Sequence, residues 1–203
     1  MEVSVSILSK KDNLEEAFDL LNNTSCDYIH IDIMDNTFTD TYSFELSELL
    51  TINTRKKLDI HIMSTNLDYQ IKEAIKLDPE FITFHVESTN DIEKYIKIIK
   101  NKNIKVGLAI SPETSLDLIK EYENNIDLLL VMSVTPGRGG QDFILETVDK
   151  LKKISKDRNY LVSVDGGIND KTIKHVKKYV DIVVSGNYII SSSDIETAIE
   201  KLR

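Results

Sequence analysis

Eight short apolar runs are spaced along the chain, and each is followed by a segment in which apolar residues recur at helical spacing. The runs cover residues 3–8, 28–33, 58–63, 81–86, 105–110, 128–134, 160–164 and 182–185. Most of them are too uniformly apolar for half-exposed antiparallel strands, so they predict parallel strands that are buried on both faces. Ser111 and Pro112 mark the expected start of the fifth helix, because proline is favoured in the first turn of a helix.

Eight strand–helix units in a chain of 203 residues predict a (β/α)8 TIM barrel of the α/β class. We expect residues 1–203 to form a single compact domain, because no linker or low-complexity stretch interrupts the pattern. A doubly wound open sheet is the alternative fold. It is less favoured, since no GxGxxG follows the first predicted strand.

Two histidines and two aspartates lie at the ends of predicted strands. His30 and Asp32 are two residues apart on one strand, so their side chains project to the same side. His61 ends the third strand, and Asp165 ends the seventh. Because the C-terminal ends of all barrel strands open onto one face, these four side chains form a candidate site for one divalent transition metal ion, Zn²⁺, Fe²⁺, Mn²⁺ or Co²⁺.

Other polar and sulfur-containing residues occupy the same strand ends. Asp35 and His85 are weaker candidates that could orient a metal ligand or a substrate. The internal methionines also lie there: Met34, Met63 and Met132. Taken singly, a methionine at such a position is more often part of the apolar core.

Six of the seven glycines fall in three clusters after strands six to eight. The clusters are Gly137-Arg138-Gly139-Gly140-Gln141, Gly166-Gly167 and Gly186-Asn187. Glycine lets the backbone approach an anion closely and point consecutive N–H groups at it. Since the loops after the last two strands commonly hold phosphate in these barrels, we expect a phosphorylated ligand on the same face as the metal site.

Composition excludes several classes of partner. A net charge of −9 and a pI near 5.0 argue against electrostatic binding to nucleic acid or to an anionic membrane. The first residues lack the pattern of a signal peptide, and no apolar run approaches the roughly 18 residues of a membrane span. We therefore expect a cytoplasmic protein. The single cysteine, Cys26, excludes an internal disulfide.

Several motifs at the strand ends resemble those of the ribulose-phosphate 3-epimerase family. They are His30-x-Asp32-x-Met34-Asp35, His61-x-Met63, Thr83-Phe84-His85-x-Glu87, Pro136-Gly137-x-Gly139-Gly140-Gln141 and Val164-Asp165-Gly166-Gly167. The likeness extends from Ser6 to Gly186 with the motifs in the family's order, which is far more specific than any one of them.

The resemblance implies a role for each matching residue. The implied metal ligands are His30, Asp32, His61 and Asp165, with Asp32 and Asp165 also acting as the catalytic acid/base pair. The implied substrate-binding residues are Ser6, Met34, His61, Met63, Met132, Gly137, Gly139, Gly140, Gln141, Gly166, Gly167, Gly186 and Asn187. It also implies one divalent metal ion with no organic cofactor, and a homo-oligomer.

The implied activity is an isomerase reaction, the interconversion of D-ribulose 5-phosphate and D-xylulose 5-phosphate in pentose phosphate metabolism. Inverting a carbon next to a ketone requires removal of its proton on one face and return of a proton on the other. Two carboxylates on opposite sides of the sugar supply the base and the acid. A metal stabilises the charge of the enediolate that forms between the two transfers.

The chain departs from the family pattern in its loops. Residues 36–40 read Asn-Thr-Phe-Thr-Asp where relatives usually have Gly-His-Phe-Val-Pro-Asn, although Asn36 tolerates positive φ better than most residues. Arg138 replaces an apolar residue, and Asn187 replaces a serine. Because loop contacts decide which sugar fits, a 3-epimerase of another ketose phosphate, such as allulose 6-phosphate, is an open alternative.

Two further alternatives belong to different functional classes. Related decarboxylases and aldolases on this barrel carry Asp-x-Lys-x-x-Asp, whereas Met34 stands two residues after Asp32 here. A sugar-phosphate-binding barrel that has lost turnover is compatible with the altered loops. The intact pair of Asp32 and Asp165 argues against it, because binding alone does not need two carboxylates beside a metal.

Overall fold

Eight parallel strands close into a barrel in chain order, which confirms the predicted fold. The computed structural model describes residues 1–154 and 156–203. The strands are β1 (Glu2–Ser6), β2 (Tyr28–Met34), β3 (Lys57–Met63), β4 (Phe81–His85), β5 (Lys105–Ile110), β6 (Leu128–Met132), β7 (Leu161–Asp165) and β8 (Ile182–Ser185). Each strand pairs with the next, and β8 pairs with β1, so every one of these strands has two neighbours.

Helices lie in the connections between the strands. The α-helices are α1 (Leu14–Asn22), α2 (Leu67–Ile75), α3 (Ile92–Lys100), α4 (Thr147–Lys153), α5 (Ile173–Val176), α6 (Asn187–Ile190) and α7 (Ile195–Glu200). Short 3-10 helices span Leu8–Lys10, Leu46–Thr51, Val86–Ser88 and Leu116–Leu118. In the described chain, the connections after β2 and β5 contain only 3-10 helices, so the predicted α-helix is absent at these two places.

The fifth connection shows why the predicted helix at Ser111 and Pro112 does not form. Lys150 Nζ on α4 donates hydrogen bonds of 2.7–2.9 Å to the carbonyl oxygens of Ser111, Pro112 and Thr114. In an α-helix these carbonyls would accept bonds from amides four residues further on. Residues 112–114 therefore form a turn instead of a helix, and the Ser115 side chain caps the short 3-10 helix Leu116–Leu118.

The α-helices α1, α3 and α7 each begin after a residue whose side chain caps the first turn. In α3, the Asp91 side chain accepts a hydrogen bond from the amide of Lys94 and satisfies a free donor of the first turn. Ile92, Ile96 and Ile99 recur at helical spacing and are buried against the barrel. Capping and burial together fix the start and the inward face of this helix.

The side chains of each strand alternate between two environments. On β2, Ile29, Ile31 and Ile33 belong to the large apolar cluster that packs the sheet against its helices. At the N-terminal end the barrel is plugged by a separate buried cluster from alternate strands, made up of Tyr28, Phe81, Leu128 and Ile182 with Leu161 packed against it. The polar side chains His30 and Asp32 alternate with the isoleucines, which places them on the inner side of the sheet.

No helix in the described parts of the chain combines the length and the hydrophobicity needed to cross a bilayer.

Candidate active site

The four predicted metal ligands lie together at the C-terminal end of the barrel. In the β2–β3 register, Asp32 is opposite His61, and β7 brings Asp165 to the same level. One ligand atom from each of His30, Asp32, His61 and Asp165 lies within 4.8 Å of all the others. Both histidines are completely buried, so the strands hold these donors in a protected position.

The nitrogen and oxygen atoms of this cluster face one another. His30 Nε2 is 3.3 Å from Asp32 Oδ1 and 3.9 Å from Asp165 Oδ2. His61 Nδ1 is 3.2 Å and 3.9 Å from the same two atoms. His30 Nε2 is buried and has no hydrogen-bond partner among the described residues. Two imidazoles and two carboxylates around an unpaired nitrogen match the ligands preferred by divalent transition metals, so this cluster could hold such an ion.

A carboxylate on the side away from the cluster fixes the orientation of the His30 ring. Its Nδ1 lies 2.7 Å from Oδ2 of Asp59, and the same oxygen accepts a hydrogen bond of 2.8 Å from Ser4 Oγ. A carboxylate can only accept, so Nδ1 donates, and Nε2 points toward the cluster, where it offers a lone pair when His30 is neutral. Asp59 was not among the predicted site residues, although it precedes His61 by two residues, the spacing that singled out His30 and Asp32.

The surroundings drive the pKa values of the two aspartates in opposite directions. Burial disfavours the charged form of Asp32, but the adjacent imidazoles, chiefly the charge of His30, outweigh it and hold the pKa of Asp32 well below its usual range. For Asp165, burial and then the nearby charge of Asp32 raise the pKa to about 7. Ser6 Oγ also donates a 2.7 Å hydrogen bond to Asp32 Oδ2.

The histidines of this region also differ. Burial opposes the charged form of His30, but Asp59 and Asp32 raise its pKa well above the ordinary value. Burial lowers the pKa of His61, and it lowers the pKa of His85 to about 4. His61 and His85 are therefore neutral imidazoles at neutral pH, each with one N–H and one lone pair.

A cavity of about 250 Å³ opens above the cluster. Asp32 and Asp165 both line it. The other predicted site residues in its wall are Ser6, Met63, Met132, Gly137, Gly139, Gly140, Gln141, Gly166, Gly167, Gly186 and Asn187. Two predicted substrate contacts do not line it: His61 lies behind the wall, and Met34 faces a neighbouring surface depression.

Several residues in the cavity wall were not predicted. They are Leu8, Val134, Asp142, Ile168, Asn169, Val184, Ser185 and Tyr188, and the exposed Arg138 also contributes. Half of them, Asp142, Ile168, Ser185 and Tyr188, directly flank a predicted glycine cluster, which is the signal that could have identified them. Their side chains extend the wall from the glycine loops into the adjoining strands and turns.

The loop that departs from the family pattern covers one side of this region. Thr41 Oγ1 donates a 2.6 Å hydrogen bond to the carbonyl of Gly137, which joins the loop after β2 to the loop after β6. Phe38 packs against the His85 ring, with the centroids 4.7 Å apart and the ring planes tilted by 36°. Asn36 adopts a φ of 61°, so the residue in place of the usual glycine still takes the left-handed conformation. The substituted loop thus keeps a folded, closed geometry.

The closed barrel and the His and Asp cluster at the C-terminal ends of its strands place this protein in the class of (β/α)8-barrel proteins with a candidate metal site. The sequence profile of the Ribulose-phosphate 3 epimerase family matches residues 2–190. The chain therefore belongs to the ribulose-phosphate 3-epimerase family.

Individual relatives agree with this assignment. The chain is 38% identical over 200 residues to a ribulose-phosphate 3-epimerase of Buchnera aphidicola subsp. Baizongia pistaciae, covering 93% of this chain and 87% of the relative. It is 34% identical to that of Helicobacter pylori strain J99, with 100% and 97% covered. A solved 3-hexulose-6-phosphate synthase from Salmonella typhimurium superposes with a TM-score of 0.64 at 17% identity, covering 100% and 96%, which shows a shared fold.

Proposed function

We propose that this protein is a ribulose-phosphate 3-epimerase that interconverts D-ribulose 5-phosphate and D-xylulose 5-phosphate, with residues 1–203 acting as one catalytic domain. The observation that carries the proposal is the placement of Asp32 and Asp165, which line one cavity beside the candidate metal cluster. They come from β2 and β7, with β1 and β8 between them in the barrel. A sugar bound between these strands would present its two faces to different carboxylates.

The two carboxylates would move the protons of the reaction. The one that faces the C3 proton would remove it, and the other would deliver a proton to the opposite face. Their opposite pKa shifts support this division, because one carboxylate is kept ionised while the pKa of the other, about 7, lets it take up or release a proton near neutral pH. In the reverse reaction the two residues would exchange roles.

The proposed metal ligands are His30, Asp32, His61 and Asp165, and the ion would be Zn²⁺, Fe²⁺, Mn²⁺ or Co²⁺. When bound, a divalent ion supplies electrostatic stabilisation, worth several kcal/mol, of the negative charge that develops on substrate oxygens. His30 Nε2, which Asp59 holds toward the cluster and which has no hydrogen-bond partner among the described residues, is the feature of these residues that best fits such an ion.

The glycine loops would bind the phosphate group of the substrate. Gly166 and Gly167 after β7 and Gly186 after β8 line the cavity together with the loop 137–141. Gly167 has a φ of 64°, and a Cβ placed there would be 2.6 Å from the backbone nitrogen of Phe143. Because phosphate is remote from the bonds that change, its binding would hold the sugar in register for both proton transfers.

The experiment that tests the proposal is proton exchange followed by NMR. Metal-loaded protein is mixed with D-ribulose 5-phosphate in D₂O, and we expect deuterium at C3 together with the appearance of D-xylulose 5-phosphate. Exchange seen only with allulose 6-phosphate would reassign the substrate, for which the altered loop 36–40 gives reason. Absence of exchange with both sugars, in protein shown to hold metal, would favour a binding protein without turnover.

Family membership also supports two properties that stay predictions. We expect the protein to assemble as a homo-oligomer and to act in the cytoplasm. Sedimentation of the purified protein measures the first property, and fractionation of cells measures the second.

A further inference from the structure

A chain of hydrogen bonds leads away from His61 on the side opposite the metal cluster. His61 Nε2 lies 3.0 Å from His85 Nε2, and His85 Nδ1 lies 3.0 Å from Glu87 Oε2. The other carboxylate oxygen of Glu87 accepts hydrogen bonds from the amide of Ser111, at 2.8 Å, and from the hydroxyl of Thr114. The chain thus begins at a candidate metal ligand on β3 and ends in the loop after β5.

The donor and acceptor of each hydrogen bond in this series can be assigned by starting from Glu87. Both oxygens of the Glu87 carboxylate accept, so His85 Nδ1 must carry the hydrogen. A neutral His85 then has its lone pair on Nε2 and accepts from His61 Nε2. His61 consequently carries its hydrogen on Nε2 and keeps a lone pair on Nδ1, the atom 3.2 Å from Asp32 Oδ1.

This arrangement leaves a lone pair of His61 facing a carboxylate oxygen, which is unfavourable unless a cation lies near both atoms. We infer that Glu87, acting through His85, is a positioning residue that holds His61 Nδ1 in the form able to ligate a metal. The inference rests on the proposed function only through its metal site. Asp59 does the same for His30 directly, whereas Glu87 reaches His61 through one intervening imidazole.

The surroundings keep the chain in place. His61 and His85 are fully buried, and Phe38 covers the His85 ring. The Ser111 end is tied to α4, because Lys150 donates hydrogen bonds to the carbonyls of Ser111, Pro112 and Thr114. Because the backbone N–H of Ser111 is held in place, the side-chain atom of residue 87 that faces it must be an oxygen that accepts its hydrogen bond.

Glu87→Gln tests the inference because it keeps the shape of the side chain and changes the direction of the bonds. The fixed Ser111 amide requires the glutamine oxygen, so the glutamine NH₂ would face His85 and donate to Nδ1. His85 would then donate from Nε2 to His61, and His61 would carry its hydrogen on Nδ1. We expect Zn²⁺ to bind 10- to 100-fold more weakly, the range found when a partner of a metal ligand is removed.

The measurement is the Zn²⁺ dissociation constant by competition with a chelator, for the wild type, Glu87→Gln and a matched control, Glu80→Gln. Glu80 precedes β4 at the opposite end of the barrel and pairs with Lys57 and Lys105, so its loss should leave Zn²⁺ affinity unchanged. Long-range ¹H–¹⁵N NMR of the metal-free proteins identifies the histidine tautomers. We expect the His61 hydrogen on Nε2 in the wild type and on Nδ1 in Glu87→Gln.

Equal Zn²⁺ affinity and unchanged tautomers in Glu87→Gln would overturn the inference while leaving the proposed epimerase intact. A wild-type protein that binds no Zn²⁺ would overturn the metal site, and the inference with it. Weaker binding in Glu87→Gln without the tautomer change would also contradict the assigned role, because it would indicate a general structural effect. No substrate enters these assays, so failure of the proposed reaction cannot be mistaken for failure of the inference.

Discussion

Asp32 and Asp165 are chemically identical side chains whose neighbours give them different proton affinities. Asp32 accepts a hydrogen bond from Ser6 and lies beside two imidazoles, whereas Asp165 is half-buried close to the negative charge of Asp32. A cationic or hydrogen-bond-donating partner favours the ionised form of a buried carboxyl group, whereas a nearby negative charge favours its neutral form. At the scale of single residues, the site therefore differentiates two carboxylates without using a different residue type.

Removing one carboxylate tests this pair. Asp165→Asn keeps the size of the side chain but can neither accept a proton nor deliver one at neutral pH, so we expect turnover to fall by about 10²- to 10⁴-fold. The measurement is the rate of epimerisation with saturating ribulose 5-phosphate, alongside thermal unfolding. Asp170→Asn is the matched control, since Asp170 is exposed and lies outside the cavity wall. Near-normal turnover of Asp165→Asn would exclude a mechanism with two carboxylates.

Spacing along a strand predicted some site residues and could have predicted others. His30 and Asp32 stood out because alternate strand residues share a face, and the structure places both in the cluster. Asp59 and His61 have the same spacing, but Asp59 was missed because it stands near the start of its apolar run rather than at the end. The reach of Glu87 to Ser111 depends on the packing of two neighbouring loops, which no spacing within one strand encodes.

At the scale of elements, the loops rather than the strands give the site its shape. The loops after β2 and β6 meet through Thr41 and Gly137, and the glycine turns after β7 and β8 line the other side of the cavity. Apolar runs predicted every strand because burial on both faces leaves a continuous signal. The helix predicted at Ser111 failed because Lys150, 39 residues away, takes the carbonyls that the helix would need.

A glycine in the loop after β7 allows a direct test at this scale. In Gly167→Ala the new methyl group would lie 2.6 Å from the backbone nitrogen of Phe143, at a φ of 64°. Such overpacking costs about 1–3 kcal/mol, so we expect the melting temperature to fall by roughly 2–12 °C and the KM for the sugar phosphate to rise. Both quantities are read from thermal unfolding and steady-state kinetics.

Gly139→Ala is the matched control, because its nearest neighbours would be 3.7 Å or more from a Cβ and its φ is not positive. We expect this variant to melt within about 1–2 °C of the wild type, as for a surface substitution. If both variants behaved alike, the close contact between Gly167 and Phe143 would not shape the loop.

At the scale of the whole molecule, the candidate metal cluster links three strands, β2, β3 and β7, whose residues are distant in the chain. A ligand that binds only the folded chain stabilises it by an amount set by its concentration relative to its dissociation constant. A metal at this cluster should therefore stabilise the entire barrel and not only the site.

We expect Zn²⁺ at a thousandfold excess over its dissociation constant to add about 4 kcal/mol to the free energy of unfolding. For a chain of this length that corresponds to a rise of roughly 8–16 °C in melting temperature relative to protein treated with a chelator. His61→Ala should remove most of this response. A melting temperature that is the same with chelator and with Zn²⁺ would show that the cluster does not hold the ion in solution.

The pairing of β8 with β1 has a consequence for how the protein can meet other proteins. Open sheets expose the backbone of an edge strand, and peptides or further copies can extend them by strand addition. Each strand of this barrel already has a neighbour on both sides, so the sheet presents no template for such growth. Copies of this chain would therefore associate through their helices, loops and exposed side chains. The candidate active site, at the C-terminal ends of the strands, is not next to an open sheet edge that could pair with another chain.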